Sequence, residues 1–525
     1  MKHLKPVFLL ILIMAVSISA FAQKEERDAN YHFKSESYAV ALKLYQKLYD
    51  SDTLNANNTY RLGLCHLNSN QEPWKALKYL LKVESQFQHD AQFAFELGKA
   101  YLYNYQFDKS IASIQKSMLL EPKKSEWLQL CNQWMQMASQ AKKQVKHPLD
   151  VSFINLGSKF NSEMDELSPV ISPDGELLFY TSNQDYDHKF MLYTNNVYYA
   201  EIDDGIFEKG RKLAAVNSID DEFVAGFSLA NDKLFVQMAG YEAFQDIMYS
   251  DRNRNSFRGK NLLNESINSK SGEFAAYETA NADTLYFSSN RDGGQGGTDI
   301  YYSLKLPTGD WGEPRNCGTS INTPYNEDFP VLSQDGNALY FCSDNPKSMG
   351  GFDIFKSAIN VNTREFSTAK QLEYPLNDVF DNTTIAFSPN QRYAYVSALR
   401  PDGLGFADIY RVIFNNEDPS VKIIQLKLKT GTSEAMTDLT SLDSTIVVTA
   451  FSKGKVVFGT YRYDFSGQQA TIALPPGSYT LVIKGASIED SEFKISVPDI
   501  PSGAKIEHRN WLVKVKESYL QSEKQ

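Results

Sequence analysis

From about Lys24 to Lys146 apolar residues recur with the spacing of amphipathic helices, and the segment overlays on itself at a period of roughly 34 residues. After His147-Pro148 the pattern changes. Short runs of alternating apolar and polar residues, punctuated by Gly, Asn and Asp, predict strands and turns, and a second repeat of roughly 50 to 56 residues runs to about Phe414. From about Ser420 to Lys516 the strand alternation continues without that repeat, over Val421–Lys429, Ser444–Phe451, Gln469–Leu474 and Tyr479–Lys484. The expected order is a leader (1–22), a helical repeat domain (23–147), a repetitive β domain (148–415), a small β-sandwich (420–516) and a charged tail (517–525).

The helical repeat has two clear copies and one partial copy. The fullest contains Leu97-Gly98, Tyr101, Ser110, Ile114, Ser117 and Pro122; the one before it contains Leu62-Gly63, His66, Ala76, Leu80 and Val83; the earliest keeps Ala29, Ala41, Tyr45 and Leu48. Small residues let the two helices of a hairpin approach, and large ones fill the groove against the next hairpin. These spacings resemble the tetratricopeptide (TPR) repeat, which implies an all-α array of hairpins serving as a recognition platform; a plain antiparallel helix bundle is the alternative, since the full set of spacings is met once. Ser125–Val145 is expected to cap the array.

Three landmarks keep one order in the second repeat. The first is an asparagine turn: Asn161-Ser162-Glu163, Asn217-Ser218-Ile219-Asp220, Asn268-Ser269, Asn322-Thr323 and Asn377-Asp378. The second is another turn: Pro173-Asp174-Gly175, Asn231-Asp232, Asn281-Ala282-Asp283, Gln334-Asp335-Gly336 and Pro389-Asn390. The third is a short strand, led by aspartate in four copies: Asn196-Val197-Tyr198, Asp246-Ile247-Met248, Asp299-Ile300-Tyr301, Asp353-Ile354-Phe355 and Asp408-Ile409-Tyr410. About four short strands per copy is the content of a propeller blade, so a five-bladed β-propeller is expected. Outer strands are expected around Phe207, Phe257, Trp311 and Phe366, whereas the fifth copy passes straight into Asn415-Asn416-Glu417-Asp418-Pro419. The segment Val151–Phe160 is expected to supply the missing strand, closing the ring with strands from both ends and leaving no open edge. Ser172-Pro173-Asp174-Gly175 and the recurrent Asp-Ile-Tyr resemble the WD40-like (PD40) propeller repeat. The turn Leu474-Pro475-Pro476-Gly477-Ser478-Tyr479 between two strands of the last segment resembles a carboxypeptidase-regulatory-like domain.

The first residues bear on compartment. Lys2 and Lys5 precede an almost wholly apolar run from Val7 to Ser19, and Ala20-Phe21-Ala22 offers the small residues read by a signal peptidase, so cleavage before Gln23 and export to the periplasm are expected. The run is short for a membrane span, and no cysteine near Gln23 offers a lipid attachment site, so the protein is expected to be peripheral to the outer membrane with no direct membrane span. The formal charge of -11 includes Lys2 and Lys5 but no acid from the leader, so the mature chain is more acidic still. Such a balance disfavours nucleic acid and anionic lipid and favours protein partners. Cys65, Cys131, Cys317 and Cys342 form no CxxC pair, which argues against a zinc site or a disulfide framework.

Chemistry is sparse. No Gly-x-Ser-x-Gly elbow, HExxH helix or phosphate-binding glycine loop occurs, and among His32, His66, His89, His147, His188 and His508 only His188 falls in the propeller segment. No catalytic residue and no cofactor site is assigned, and the chain reads as a non-enzyme. With the usual strand order, the asparagine turns and the loops before the aspartate-led strands share one face of the disk. That face would gather Glu163, Asp165, Glu166, Asp220, Asp221, Glu222, Glu327, Asp328 and Asp381 with Arg291, Asp292, Arg400 and Asp402, forming a mostly acidic partner-docking surface. The repeated residues among them can equally hold turns and strand ends. Within Asp292-Gly293-Gly294-Gln295-Gly296-Gly297-Thr298-Asp299, the carboxylates of Asp292 and Asp299 are candidates for a weak calcium site.

Leader, TPR-like hairpins, PD40-like propeller and regulatory-like sandwich, in that order, resemble the PorE-type, OmpA-family periplasmic proteins of Bacteroidetes associated with type IX secretion and gliding. The resemblance implies a non-catalytic scaffold or accessory subunit held by outer-membrane barrel or secretion-complex proteins. Members of that group continue into an OmpA-like peptidoglycan-binding domain, whereas this chain stops soon after Trp511, which argues against direct peptidoglycan binding. A glycan- or peptidoglycan-binding protein and a propeller hydrolase are the alternative readings.

Overall fold

The computed structural model describes residues 23–516 except 70, 188–191, 204–205, 240–244, 334, 361–362, 390–392, 416–421, 433–434, 440–445, 453–456, 464–467, 475–476 and 498–506. The expected leader, the C-terminal tail, His188 and the Pro475-Pro476 turn lie outside the described residues. Helices and propeller form one compact unit, and a second is built chiefly from the chain beyond Ile413.

Helix α1 spans residues 23–34, followed by α2 (Tyr38–Ser51), α3 (Ala56–Asn68), α4 (Ala76–Phe87), α5 (Ala91–Tyr103), α6 (Phe107–Leu120) and α7 (Ser125–Gln144). Asn55 and Asp90 start α3 and α5 by accepting hydrogen bonds from Asn58 N and Phe93 N, both at 3.0 Å. In the α3–α4 and α5–α6 hairpins a glycine sets the helix separation. A Cβ on Gly98 would lie 2.5 Å from Ile114 of α6, and one on Gly63 would lie 2.9 Å from Leu80 of α4. Among the described residues no helix is long and apolar enough to cross a membrane.

Among the described residues the propeller region holds five antiparallel sheets. The first holds β2 (Glu166–Ile171), β3 (Leu177–Asp187), β4 (Leu192–Asp203), β5 (Ile206–Phe207) and β6 (Arg211–Lys212). The second holds β7 (Asp221–Phe227), β8 (Lys233–Ala239), β9 (Asp246–Asn253) and β10 (Ser256–Leu262), and the third β11 (Glu273–Glu278), β12 (Thr284–Ser289), β13 (Asp299–Leu304) and β14 (Arg315–Asn316). The fourth holds β15 (Glu327–Leu332), β16 (Ala338–Ser343), β17 (Asp353–Asn360), β18 (Glu365–Phe366) and β19 (Lys370–Gln371). The fifth joins β20 (Ile385–Phe387), β21 (Tyr393–Leu399) and β22 (Ala407–Phe414) to β1 (Val151–Asn155), which enters as the outer strand from the far end of the sequence.

Strands β2, β7, β11 and β15 lie side by side at the centre, and β20 and β21 return to β2. Neighbouring sheets pack face to face through apolar side chains. Val170, Phe179 and Val197 of the first sheet meet Val224, Phe227 and Leu234 of the second, and Phe235 and Ile247 of the second meet Leu285, Phe287 and Tyr301 of the third. Burying side chains of this size contributes roughly 1.5–3 kcal/mol each, so these interfaces hold the sheets together. Outer edges are less regular than the sequence suggests. In the first and fourth sheets the outer strand is split in two, around Phe207 and Arg211 and around Phe366 and Lys370. In the third, Trp311 makes only an isolated bridge to Lys305 before β14 pairs.

The C-terminal unit contains β23 (Lys422–Thr432), β24 (Ala435–Asp438), β25 (Val447–Phe451), β26 (Val457–Arg462), β27 (Ala470–Leu474), β28 (Gly477–Lys484), β29 (Ser491–Val497) and β30 (Glu507–Leu512). They form two four-stranded sheets, β24-β23-β27 with β30 on β23, and β26-β25-β28-β29. One core serves both, with Leu426 and Leu428 beside Val448, Ile472, Leu481 and Ile483. The parallel strand β30 was not legible as alternation because it pairs with β23, some eighty residues earlier, at Ile424↔Glu507.

Candidate functional site on the propeller face

Each asparagine turn opens a hexad of fixed geometry: Asn161–Glu166, Asn217–Glu222, Asn268–Glu273, Asn322–Glu327 and Asn377–Asn382. The first residue clasps the preceding sheet. Its Oδ1 accepts from the amide, and its Nδ2 donates to the carbonyl, of Ile409, Val197, Ile247, Ile300 and Ile354 in turn, at 2.7–3.0 Å. The clasp from Asn161 to Ile409 links the beginning of the propeller segment to its end. The second residue staples the turn. In four hexads the Ser or Thr amide donates to the glutamate in sixth place at 2.7–3.0 Å, and its hydroxyl does likewise. In the fifth, Asp378 N donates to Asn382 Oδ1 at 2.8 Å. The fifth residue braces the neighbouring sheet: Asp165, Asp221, Asn326 and Asp381 accept from the amides of Ala407, Asn195, Thr298 and Phe352 at 3.3, 2.6, 3.1 and 2.9 Å.

This geometry redistributes the expected docking surface. Glu166, Glu222 and Glu327 are fully buried staples and cannot meet a partner, and Asp165 and Asp221 are inter-sheet braces. Burial raises the Glu166 carboxyl to about 7, against its bonds from Ser162 and Ser182. Burial likewise raises Glu327. Glu222 and Glu273 differ in having a cation, Lys260 Nζ at 2.8 Å and Arg291 Nη2 at 3.1 Å. Arg291 is therefore an internal strut. It also donates to the Ile267 carbonyl at 2.6 Å and stacks 4.9 Å from the Phe287 ring centre. Asp328 points inward, accepting from Ser288 Oγ and Phe329 N, and burial raises it to about 6. Arg400 lies 4.3 Å over the Phe153 ring and 3.5 Å from Asp402. Glu163, Asp292, Asp381 and Asp402 are exposed and Asp220 half-buried, so these five remain accessible.

The calcium candidates separate in the same way. Asp299 is buried, and its carboxylate accepts from Gln295 N, Gly296 N and Asn316 Nδ2 at 2.5, 3.0 and 2.7 Å, whereas Asp292 is exposed. Among the described residues no three His, Cys, Asp or Glu side chains are placed to share a cation. Asp408 is held the same way as Asp299, by Leu404 N, Gly405 N and Asn155 Nδ2. Asn155 comes from β1, so the first strand of the segment does for the fifth sheet what Asn316 does for the third.

Part of this face is occupied by the chain's own helices, which the sequence does not disclose. Val379 and Phe380, third and fourth in the fifth hexad, pack with Met349 against Leu102, Ala138 and Ala141 of α5 and α7. The Phe380 ring centre lies 5.1 Å from that of Tyr103 and 6.1 Å from that of Trp74. Polar contacts reinforce the seam: Gln133 Nε2 donates to the Asp344 carbonyl at 2.8 Å, and Gln140 and Gln144 both donate to Gln371 Oε1 at 3.0 Å. At the other end of the array Lys43 of α2 stands 5.9 Å over Tyr193 in the long β3–β4 hairpin. Beside the seam a cavity of about 400 Å³ opens between helices and propeller, with Lys99 and Trp134 on one wall and Asp344, Phe352 and Asp381 on the other.

No family model and no curated protein matches the chain. Among solved structures it is similar to TolB from Acinetobacter baumannii, at 12% identity over 66% of this chain and 69% of that one, with a TM-score of 0.25. It is also similar to the periplasmic gluconolactonase PpgL of Pseudomonas aeruginosa, at 12% identity over 63% of this chain and 88% of that one, with a TM-score of 0.27. A third similarity is to a glycoside hydrolase of the GH130 family of mannoside phosphorylases, at 10% identity over 51% of this chain and 95% of that one, with a TM-score of 0.33. Scores and identities this low transfer neither an activity nor a residue. What the geometry itself establishes is a β-propeller with an N-terminal helical region packed on its face.

Proposed function

We propose that this chain is an exported, non-catalytic scaffold, an accessory subunit held in the periplasm by outer-membrane barrel or secretion-complex proteins. The five sheets are read as the five blades of one closed ring, because the asparagine clasp recurs five times and Asn161 returns it to Ile409. The two C-terminal sheets are read as a regulatory-like sandwich around their common core. One observation carries the scaffold reading: a helical repeat array is seated on the propeller face through Phe380, so two recognition modules act as one composite surface. The PorE-type resemblance of the domain order supports the compartment and the type IX secretion or gliding context. Affinity purification of the tagged protein from its own cells in mild detergent tests the proposal. Stoichiometric recovery of outer-membrane barrels or secretion components is expected; recovery of a lone soluble protein would overturn it.

A further inference from the structure

The cavity between helices and propeller has the size and walls of a ligand site. Its volume of about 400 Å³ lies within the range of small-molecule pockets. Aromatic side chains line both walls, Trp134 from α7 and Phe352 and Phe380 from the propeller. Part of its floor is the backbone at Gly350, where a Cβ would lie 2.1 Å from the Val379 carbonyl oxygen.

The charges are unevenly matched. Lys99 stands 3.7 Å from the buried Glu96 and 5.0 Å over the Trp134 ring, and its nearest acceptor is Asn68 Oδ1 at 3.4 Å. This ammonium thus has one ion-pair partner and one long hydrogen bond. Across the cavity, Asp344 accepts from Asn326 N and Nδ2 at 2.8 and 2.9 Å, and Asp381 from Phe352 N at 2.9 Å. Neither carboxylate has a cation within ion-pair distance among the described residues. Asp381 is exposed, and the charge of Lys99 reaches it from beyond ion-pair distance. The site therefore combines two carboxylates without a close ion pair, aromatic surface for an aliphatic stem, and an ammonium whose one hydrogen bond is long.

We infer that this cavity binds a short extended peptide through a basic side chain, with its cation between Asp344 and Asp381, its stem on Phe352 and Trp134, and a peptide carbonyl accepting from Lys99. A cation above an aromatic face and beside a carboxylate gains from both, more so where water is partly excluded. Lys99 supplies the donor that orients the peptide. The inference is independent of the scaffold reading, since a membrane-bound partner is required by one and a soluble peptide by the other.

Isothermal titration of the mature protein with acetyl-Ala-Arg-Ala-amide, against the same peptide carrying citrulline, tests it. Citrulline keeps the shape and loses the charge. The arginine peptide is expected to bind at least about tenfold more tightly. Asp381→Asn, which keeps an acceptor for Phe352 N, should lose that discrimination, while Asp292→Asn on the open face should keep it. Equal affinity for the two peptides, or no heat at about 5 mM peptide, would overturn the inference. The peptide comparison needs no variant, so a poorly folding Asp381→Asn leaves the test decisive.

Discussion

The fifth hexad and the second are built on one frame and do opposite things with it. Both place asparagine first, to clasp the sheet before them, and both bond the second residue to the sixth. Between those fixed points, the second hexad exposes Ile219 at 74% of its surface next to Asp220, whereas the fifth presents Val379 and Phe380, buried under α5 and α7. The frame positions are thus committed to joining neighbouring sheets, and the third and fourth positions are free to vary. In the fifth, where Val and Phe occupy them, the chain covers them with its own helices. The glutamates of the frame divide along a second line. Glu222 and Glu273 have cationic partners, and Glu166 and Glu327 rely on hydroxyls and amides alone.

Four measurements would break or sharpen these contrasts. The largest effect is expected from Phe380→Ala, which empties the seam between helices and propeller and should cost about 3–5 kcal/mol in urea unfolding. It should also make the α6–α7 connection at residues 121–124 sensitive to protease. Unchanged stability and cleavage would mean that the array is not held there. Next, Asn161→Ala leaves the Ile409 amide without its partner and its carbonyl with Leu156 N alone, and should cost about 1–3 kcal/mol. Asn268→Ala, which breaks the same clasp elsewhere, should match it; a much smaller loss for Asn161 would deny that the ring closes through this residue.

Glu166→Gln separates the two kinds of glutamate by pH. Burial lifts the folded-state value from 4.5 to about 7, so the folded protein holds this proton more tightly than the unfolded chain. Stability from this group is therefore present at low pH and lost as pH rises between those values. Glutamine carries no such dependence and keeps polar atoms for Ser162 and Ser182. The variant should gain on the parent protein by about 1–3 kcal/mol between pH 5 and pH 8, read as the change in urea midpoint. A parallel pH dependence in both proteins would place the titration elsewhere. The smallest effect is expected from Ile219→Ala, the outward position equivalent to Val379, which should stay within about 0.5 kcal/mol of the parent protein.

Much of the architecture was legible because it follows from local periodicity. Helix spacing marked Leu97-Gly98 and Ile114, and the clash that a Cβ on Gly98 would make with Ile114 is the physical content of that signature. The three landmarks marked five sheets because every copy of a repeat meets the same backbone demands. A further signal was present and unread: asparagine followed five residues later by glutamate, four times over, which is the spacing of the clasp and the staple. Reading it would have moved Glu222 and Glu327 from the surface into the frame.

The sequence by itself determined the order of modules, the repeat of the sheets and the acidic, motif-poor character of the chain, since these depend on neighbours along the backbone. Only the tertiary structure decided which carboxylates are buried, that Arg291 is a strut, and that Phe380 is covered by α5 and α7. Those outcomes depend on contacts between residues tens to hundreds of positions apart. Gln133 meeting Asp344, or Asn161 meeting Ile409, is set by how separate elements pack, and no local pattern encodes the partner.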